Sequence, residues 1–411
     1  MEVLKHVTCG TAGKPLRIIQ ITDTHLFPEG VTSFKNEDTT VDMKKSGYSN
    51  KTAKEYLALL IKQVRPDVAI LTGDIIDGRP FGEHKRTDWL RTIEEFIDPL
   101  VDAGIYWSFT PGNHDDDGAP YSRKDLLDIY SLPYCLSKGA NTFDHTITVG
   151  PSEKEGVRLW LFDSGENSPD KNIRYTSFSL ASVAAHKLIS KKLRERKEKL
   201  PGLAFFHIPL PQYMYNHPIS GTLGLFDAAR NKGQVPRFAR YFPWLVKLFG
   251  ADRVAGSSML DSGLFESFSR EGNVKATFCG HDHYNDAVMW RDGVYLCYGR
   301  VCSYTPPIDW EGKGGPLPFE FGARIVEVRP DASVATWVQS KDGIEPKSYV
   351  PLEHRDRAPA GLCARILCSN VTLKVVNFIA ILVILVYVLM FPQYRSAEEL
   401  EEEAKIEAGL L

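Results

Sequence analysis

Five short clusters of carboxylate, imidazole and amide residues, each closing an apolar, β-branched run, constrain this chain more than any other feature. In order they are Asp23-Thr24-His25, Gly73-Asp74, Gly112-Asn113-His114-Asp115, the isolated His207, and Gly280-His281-Asp282-His283. The runs before them, Leu16–Thr22, Val68–Thr72, Ile105–Thr110, Leu203–Phe206 and Val274–Cys279, read as buried strands. Helical periodicity fills the gaps between the first three. Residues 51–65 carry Tyr56, Leu59, Leu60, Ile61 and Val64 before Pro66 stops them, and Trp89–Val101 carries Leu90, Ile93, Phe96, Ile97 and Leu100. Strand, helix and strand in repetition predict an α/β domain.

Further strands are expected at Thr142–Val149, Val157–Phe162, Val294–Cys297, Ala323–Val328 and Val334–Val338, with a long helix at Leu180–Lys199. Strands that outnumber helices toward the end point to two sheets packed face to face with helices outside. Residues 1–340 are therefore assigned to one domain. Residues 211–273 are less regular and look like an insertion with an aromatic cluster (Tyr241, Phe242, Trp244, Phe249). Residues 341–370, rich in breakers and mixed charge, read as a linker.

The next segment, Val371–Phe391, is 21 residues rich in valine, isoleucine and leucine, interrupted only by Thr372, Lys374, Asn377 and Tyr387. As a helix it spans about 31 Å, enough to cross a hydrocarbon core, so one transmembrane helix is expected there. Lys341, Lys347, Arg355, Arg357, Arg365 and Lys374 precede or enter it, whereas only Arg395 and Lys405 come after it. The positive-inside rule then places the large domain in the cytosol, as a single-pass, C-terminally anchored protein. Cys363 and Cys368, just before the span, are candidates for palmitoylation or plain free thiols. The start, Met1 to His6, lacks the apolar core of a secretory leader.

Charge and cysteine usage narrow the partners. The net charge of −3 comes from the acidic tail at 392–411, where six glutamates face Arg395 and Lys405. No basic stripe stands out in the rest, so no nucleic-acid partner is expected. Seven scattered cysteines without a CxxC spacing fit reduced thiols rather than a disulfide framework.

Loops that offer carboxylates and imidazoles together suit Zn, Fe or Mn rather than Ca. Two such ions about 3.5–4 Å apart can clamp a phosphoryl group and acidify a bridging water. Asp74 follows a glycine at a strand end, where a tight turn lets its carboxylate project. His281 and His283 are two apart, so an extended segment would point both the same way and turn Asp282 aside.

The ordered set of five motifs resembles the calcineurin-like metallophosphoesterases over about residues 15–340. Phe206-His207-Ile208-Pro209, Phe162-Asp163-Ser164-Gly165 and Gly280-His281-Asp282-His283-Tyr284-Asn285-Asp286 look like the purple acid phosphatase 16/28/29 and Dcr2-like branch. The resemblance implies an α/β fold, a four-layer β-sandwich flanked by helices, with the site at one edge of the sheets. It implies two divalent or trivalent metal ions, Asp23, His25, Asp74 and His283 holding one, and Asp74, Asn113, His207 and His281 the other. His114 would be the non-ligand histidine that protonates the leaving alkoxide, and Asp115 would pair with it and fix its tautomer. Where iron-tyrosinate enzymes carry a tyrosine three residues after the bridging aspartate, this chain has Asp77, which disfavours a purple ferric centre. Arg300 is the best sequence candidate for a phosphate-binding cation. Asp163 and Asn285 could touch substrate or cap strand ends. The implied activity is phosphatase action on phosphate monoesters, of a phosphoprotein or a small ester. A phosphodiesterase on nucleotides or lipid headgroups and a membrane-bound scaffold with a vestigial site are the alternatives.

Overall fold

A computed structural model of the chain describes residues 1–31, 33–36, 39–42, 49–79, 85–170, 173–215, 218–223, 255–283, 285–303 and 320–355. Beyond them it describes only Phe378, Ile379, Ile381, Leu382, Val383 and Val386. The chain divides into two units, Met1–His354 and Arg355–Leu411.

The first unit opens with strands β1 (Glu2–Val3), β2 (Val7–Thr8) and β3 (Leu16–Ile21), then a hairpin of β4 (Ser33–Asn36) and β5 (Thr39–Asp42). Helix α1 (Asn50–Val64), β6 (Val68–Thr72), α2 (Arg86–Asp102) and β7 (Tyr106–Thr110) come after it, and a 3-10 helix covers Arg123–Ser131. Next are β8 (His145–Ser152), β9 (Glu155–Leu161), α3 (Leu180–Glu195), β10 (Gly202–Phe205) and β11 (Pro218–Ser220). The last group is α4 (Leu264–Glu271), β12 (Val274–Cys279), β13 (Val288–Arg291), β14 (Val294–Tyr298), β15 (Gly322–Val328), β16 (Val334–Ser340), β17 (Gly343–Ile344) and β18 (Val350–Pro351).

Two sheets result. One has the order β1-β8-β9-β10-β12-β14-β13-β11, with β2 also on β8; the other runs β17-β16-β15-β3-β6-β7, with β18 also on β16. The strand pleat sorts their side chains into three apolar clusters. Ile18, Val68 and Ile70 of one sheet meet Leu159, Leu161, Phe205 and Phe278 of the other between the sheets. Ile19, Ile21, Ala69 and Leu71 face outward onto α1 and α2 through Leu57, Leu60, Ile93 and Ile97. On the far side Trp160, Ala204, Leu296 and Tyr298 pack with Val183 of α3 and Phe268 of α4. Three interlayer cores mean four layers, helix, sheet, sheet, helix. Because β3, β6 and β7 are covered on both faces they need continuous apolar sequence, and β6 (VAILT) is buried throughout.

Helix α1 begins where Ser49 accepts the Thr52 N–H and ends at Arg65, whose left-handed backbone returns its N–H to Ile61 O. Its buried Tyr56, Leu57, Leu60, Ile61 and Val64 make one stripe.

One expectation on boundaries changes. The sheet does not stop at residue 340: β17 and β18 pair with β16, and Val350 and Leu352 are buried in the intersheet core. Residues 341–354 therefore belong to the first unit, and the rest of the expected linker, apart from Arg355, lies outside the described residues. Among the described residues no helix is long and apolar enough to cross a membrane. Most of the expected span at 371–391 lies outside the described residues, as do the acidic tail, Cys363, Cys368 and the aromatic cluster at 241–249. The few described residues of that span are helical, with exposed apolar side chains.

Candidate metal centre

Strands β3, β6 and β7 run parallel to one another, and so do β9, β10 and β12. Each therefore delivers its next loop to the carboxyl edge of its sheet, the general location of sites in open α/β sheets. Backbone bonds stitch the loops together: Asp23 N to Gly73 O at 3.1 Å, His25 N to Asp74 O at 2.9 Å, and Gly280 N to His207 O at 3.0 Å. The approach is close enough to require glycine. A Cβ at Gly112 would collide with the Asp74 carboxylate, and one at Gly280 with Thr22 Oγ1 and the Asp23 carboxylate.

Asp23, His25, Asp74 and His283 each bring one ligand atom to a common point, and Asp74, His207 and His281 do so at a second. Asp74 is common to both. Its Oδ1 accepts the His114 backbone N–H at 2.8 Å. Its Oδ2 lies 3.1 Å from His207 Nε2 and 3.7 Å from His25 Nε2. Around the first point His283 Nε2 is 3.2 Å from Asp23 Oδ1 and 3.3 Å from His25 Nε2. Around the second, His281 Nδ1 is 3.2 Å from His207 Nε2. Asp23, His25, Asp74 and His281 all have positive φ, 45–74°, a conformation that costs energy outside glycine and clusters at functional sites.

The donor set fits two cations. Thr72 O holds the His207 Nδ1–H at 2.8 Å, and Asp77 Oδ2 holds the His25 Nδ1–H at 3.3 Å, so each turns Nε2 inward. Asn113 is 2% exposed, yet its Oδ1 has no hydrogen-bond partner among the described residues. Its Nδ2 donates to Asn167 Oδ1 at 3.3 Å, leaving the oxygen as the metal-competent atom.

The electrostatics agree. Burial works against ionisation of Asp74, but the imidazoles of His207, His114 and His25 hold it well below the ordinary carboxylate range. Burial likewise opposes ionisation of Asp23, and His283 overcomes it. Burial opposes protonation of His207, yet the Asp74 carboxylate pushes it up to about 9.

His114 is not among the converging ligands. Its ring lies 5.7 Å from that of His25, centroid to centroid, and its Nδ1 donates to Asp117 Oδ2 at 3.1 Å. The side chain is 24% exposed, in contrast to the buried residues of the two clusters.

The expected partnership of His114 with Asp115 is not formed. The Asp115 carboxylate accepts four backbone N–H groups, from Asp74, Ile75, Ile76 and Gly112, at 2.6–3.0 Å. Asp115 therefore ties two ligand loops together, and Asp117 takes the place expected of it. Arg300 also departs from expectation. Its guanidinium is 4% exposed and engaged by Asp286, by Glu345 at 3.2 Å and by Glu320 O at 3.1 Å, an internal ion-pair cluster rather than a phosphate contact. Asp163 pairs with Arg123, and Asn285 donates to Asp282. His281 and His283 do reach the two points, but not from an extended segment. A turn at His281, with Asp282 N bonded to Gly280 O, separates them, and Asp282 is taken up by Tyr298 Oη and Gly256 N.

Asp117, Asn167, Arg123 and Tyr175 do not stand out in the sequence. The Tyr175 ring meets His281 edge-on at 4.7 Å. Only Asp117 carries a local signal, lying three residues after His114 in a loop rich in carboxylates.

Residues 16–285, well over half of the chain, match the calcineurin-like phosphoesterase family, to which the chain therefore belongs. Among curated relatives, "Probable inactive purple acid phosphatase 29" of Arabidopsis thaliana is 25% identical over 337 residues, 76% of each chain. "Phosphatase DCR2" of Saccharomyces cerevisiae is 26% identical over 308 residues, covering 69% of this chain and 47% of that protein. Among solved structures, a dimetal phosphatase from Danio rerio superposes with a TM-score of 0.49 at 13% identity, over 82% of this chain and 99% of that one.

Proposed function

We propose that this chain is a dinuclear metal-dependent phosphatase that hydrolyses phosphate monoesters, of a phosphoprotein or a small phosphate ester. The observation that carries the reading is the shared Asp74, whose Oδ2 faces His207 Nε2 on one side and His25 Nε2 on the other. Two cations there, Mn, Zn or Fe, would polarise the phosphoryl oxygens and lower the pKa of a water between them. Asp23, His25 and His283 would hold one, and Asn113, His207 and His281 the other. His114 keeps Nδ1–H against Asp117, which leaves Nε2 to give a proton to the departing alkoxide. The buried ligand shell keeps both imidazole tautomers and carboxylate orientations fixed before substrate arrives.

Three of the curated relatives carry "inactive" in their printed names, and this favours a scaffold as the second reading. Against it stands a complete set of buried donors in this chain. The test is hydrolysis of p-nitrophenyl phosphate and bis(p-nitrophenyl) phosphate by the full chain with Mn, Zn or Fe, beside Asp74→Asn and His114→Ala. Monoester turnover lost in both variants supports the proposal. Turnover of the diester alone favours a phosphodiesterase, and equal inertness of all three proteins with every metal favours the scaffold.

We further propose that residues 371–391 anchor the chain in a membrane with the catalytic domain on the cytosolic side. The apolar sequence of that run and the cationic flank before it support this. Protease added to intact organelles should remove the domain; protection of the domain would overturn the topology.

A further inference from the structure

The loop that carries Asn113 and His114 is gripped from both sides by charge. Asp115 takes its N–H side, through Gly112 N and the facing backbone of residues 74–76. The carbonyl side belongs to a residue from a different element. Arg123 opens the 3-10 helix, where Ser122 and Asp125 fix the start by a capping box. Its Nη1 donates to Gly112 O at 2.7 Å and Asp116 Oδ1 at 3.1 Å. Its Nη2 donates to Pro111 O at 3.2 Å, Asp163 Oδ1 at 2.7 Å and Gly165 O at 2.8 Å, and Nε faces Asp163 Oδ2 at 3.0 Å. The arginine side chain is only 15% exposed.

These contacts join two loops that leave different sheets, residues 111–117 after β7 and residues 163–167 after β9. The second loop then reaches back into the first. Asn167 accepts from Asn113 Nδ2 and donates to Asp117 Oδ2 at 3.2 Å, the oxygen that holds His114. Two independent paths, guanidinium to carbonyls and amide to amide, therefore set Asn113 and His114 relative to the rest of the site.

We infer that Arg123 is a positioning residue for the reaction: its planar fork holds the Pro111 and Gly112 carbonyls and the Asp163–Gly165 turn together, and so places the Asn113 ligand and the His114 proton donor. A point charge cannot do this. Lysine would keep the ion pair with Asp163 but could not serve acceptors in two loops with fixed geometry. The inference rests on the dinuclear reading, and its test reads metal as well as turnover.

The experiment compares full-length wild type, Arg123→Lys and Arg123→Ala by equilibrium dialysis against Mn²⁺ and by hydrolysis of p-nitrophenyl phosphate, with thermal unfolding as a control on the fold. Wild type should take up two Mn²⁺ per chain. Arg123→Lys should unfold within a few degrees of wild type and keep one Mn²⁺ at unchanged affinity, with the second bound about tenfold to a hundredfold more weakly. Its kcat should fall by about a hundredfold while KM moves much less. Added guanidinium, but not ammonium, should restore part of the lost kcat in Arg123→Ala; if that variant does not fold, the lysine variant alone decides. Unchanged second-site affinity and kcat in Arg123→Lys would overturn the inference, and so would equal weakening of both sites. A wild type that binds two Mn²⁺ but hydrolyses no ester defeats the phosphatase reading while the metal readout still decides the role of Arg123. A wild type that takes up no metal overturns both.

Discussion

His114 turns its Nδ1 to Asp117, 3.1 Å away, and not to Asp115, its neighbour in the chain. The separation of roles reflects what each carboxylate faces. Asp115 is fully buried among backbone N–H groups, whereas Asp117 lies at the partly exposed rim beside the imidazole. One holds the loops and the other orients the His114 imidazole.

Substituting these two residues should therefore give opposite signatures. Asp117→Asn should lower kcat by about tenfold through the loss of an oriented imidazole, with unfolding temperature unchanged and Mn²⁺ affinity moved only a fewfold, because Arg123 still holds the Asn113 loop. Steady-state kinetics and dialysis on the same preparation check it, and a loss of metal binding would contradict it.

Asp115→Asn replaces one acceptor oxygen with a donor, so about half of the four N–H contacts lose their partner in a buried place. A loss on the order of 3 kcal/mol in unfolding free energy is expected, measured by urea denaturation. Burial and the adjacent Asp74 charge push the Asp115 carboxyl up to about 7, yet its geometric role does not depend on its charge state alone, because each oxygen remains an acceptor.

Gly280→Ala tests the close approach of the last ligand loop to the first. The added methyl would meet Thr22 Oγ1 and the Asp23 carboxylate, so the loop bearing His281 and His283 must shift. Mn²⁺ affinity should weaken by at least about tenfold while the three apolar cores, measured by the near-ultraviolet signal of their tyrosines and tryptophans, persist. Wild-type metal binding would contradict the packing described for this turn.

Acid sensitivity has a source away from the centre. His145 is fully buried against Ser137, 2.7 Å from Nε2, and burial pushes its pKa down to about 4. Unfolded, it titrates near 6.5. Between those values the unfolded chain binds a proton that the folded chain does not, so this residue's effect is to lower stability as pH falls through 6.5 toward 4. From pH 7 to pH 5 the expected contribution is about 2 kcal/mol. Wild type should lose that much more than His145→Gln over the same interval, as read by urea denaturation; parallel losses would contradict it.

Much of the scaffold was legible because buried parallel strands need continuous apolar runs. Leu16–Ile21, Val68–Thr72 and Val274–Cys279 announce themselves in that way, and Asp23, Asp74 and His281, each two positions past its run, mark the loops. Val288–Arg291 has no such signal: it is a four-residue strand between β14 and β11, too short to show a period. The ligand types could be read, but the directions of their side chains could not. The turn at His281 and the left-handed backbones of Asp23, His25 and Asp74 exist only because several loops converge. The exchange of roles between Asp115 and Asp117 depends on where four N–H groups point, which no spacing encodes. Arg123 and Asp163 are forty positions apart and meet only when the loops after β7 and β9 are brought together. Arg300 was a reasonable candidate by its place after β14, but Asp286 and Glu345 already engage it.

The most direct measurement is an anomalous difference map from crystals of the full chain grown or soaked with Mn²⁺, recorded at the manganese edge. Two peaks about 3.5–4 Å apart, one beside Asp23, His25 and His283, the other beside Asn113, His207 and His281, with the Asp74 carboxylate between them, are the expected result. A single peak, or peaks that do not share Asp74, would contradict the dinuclear assignment.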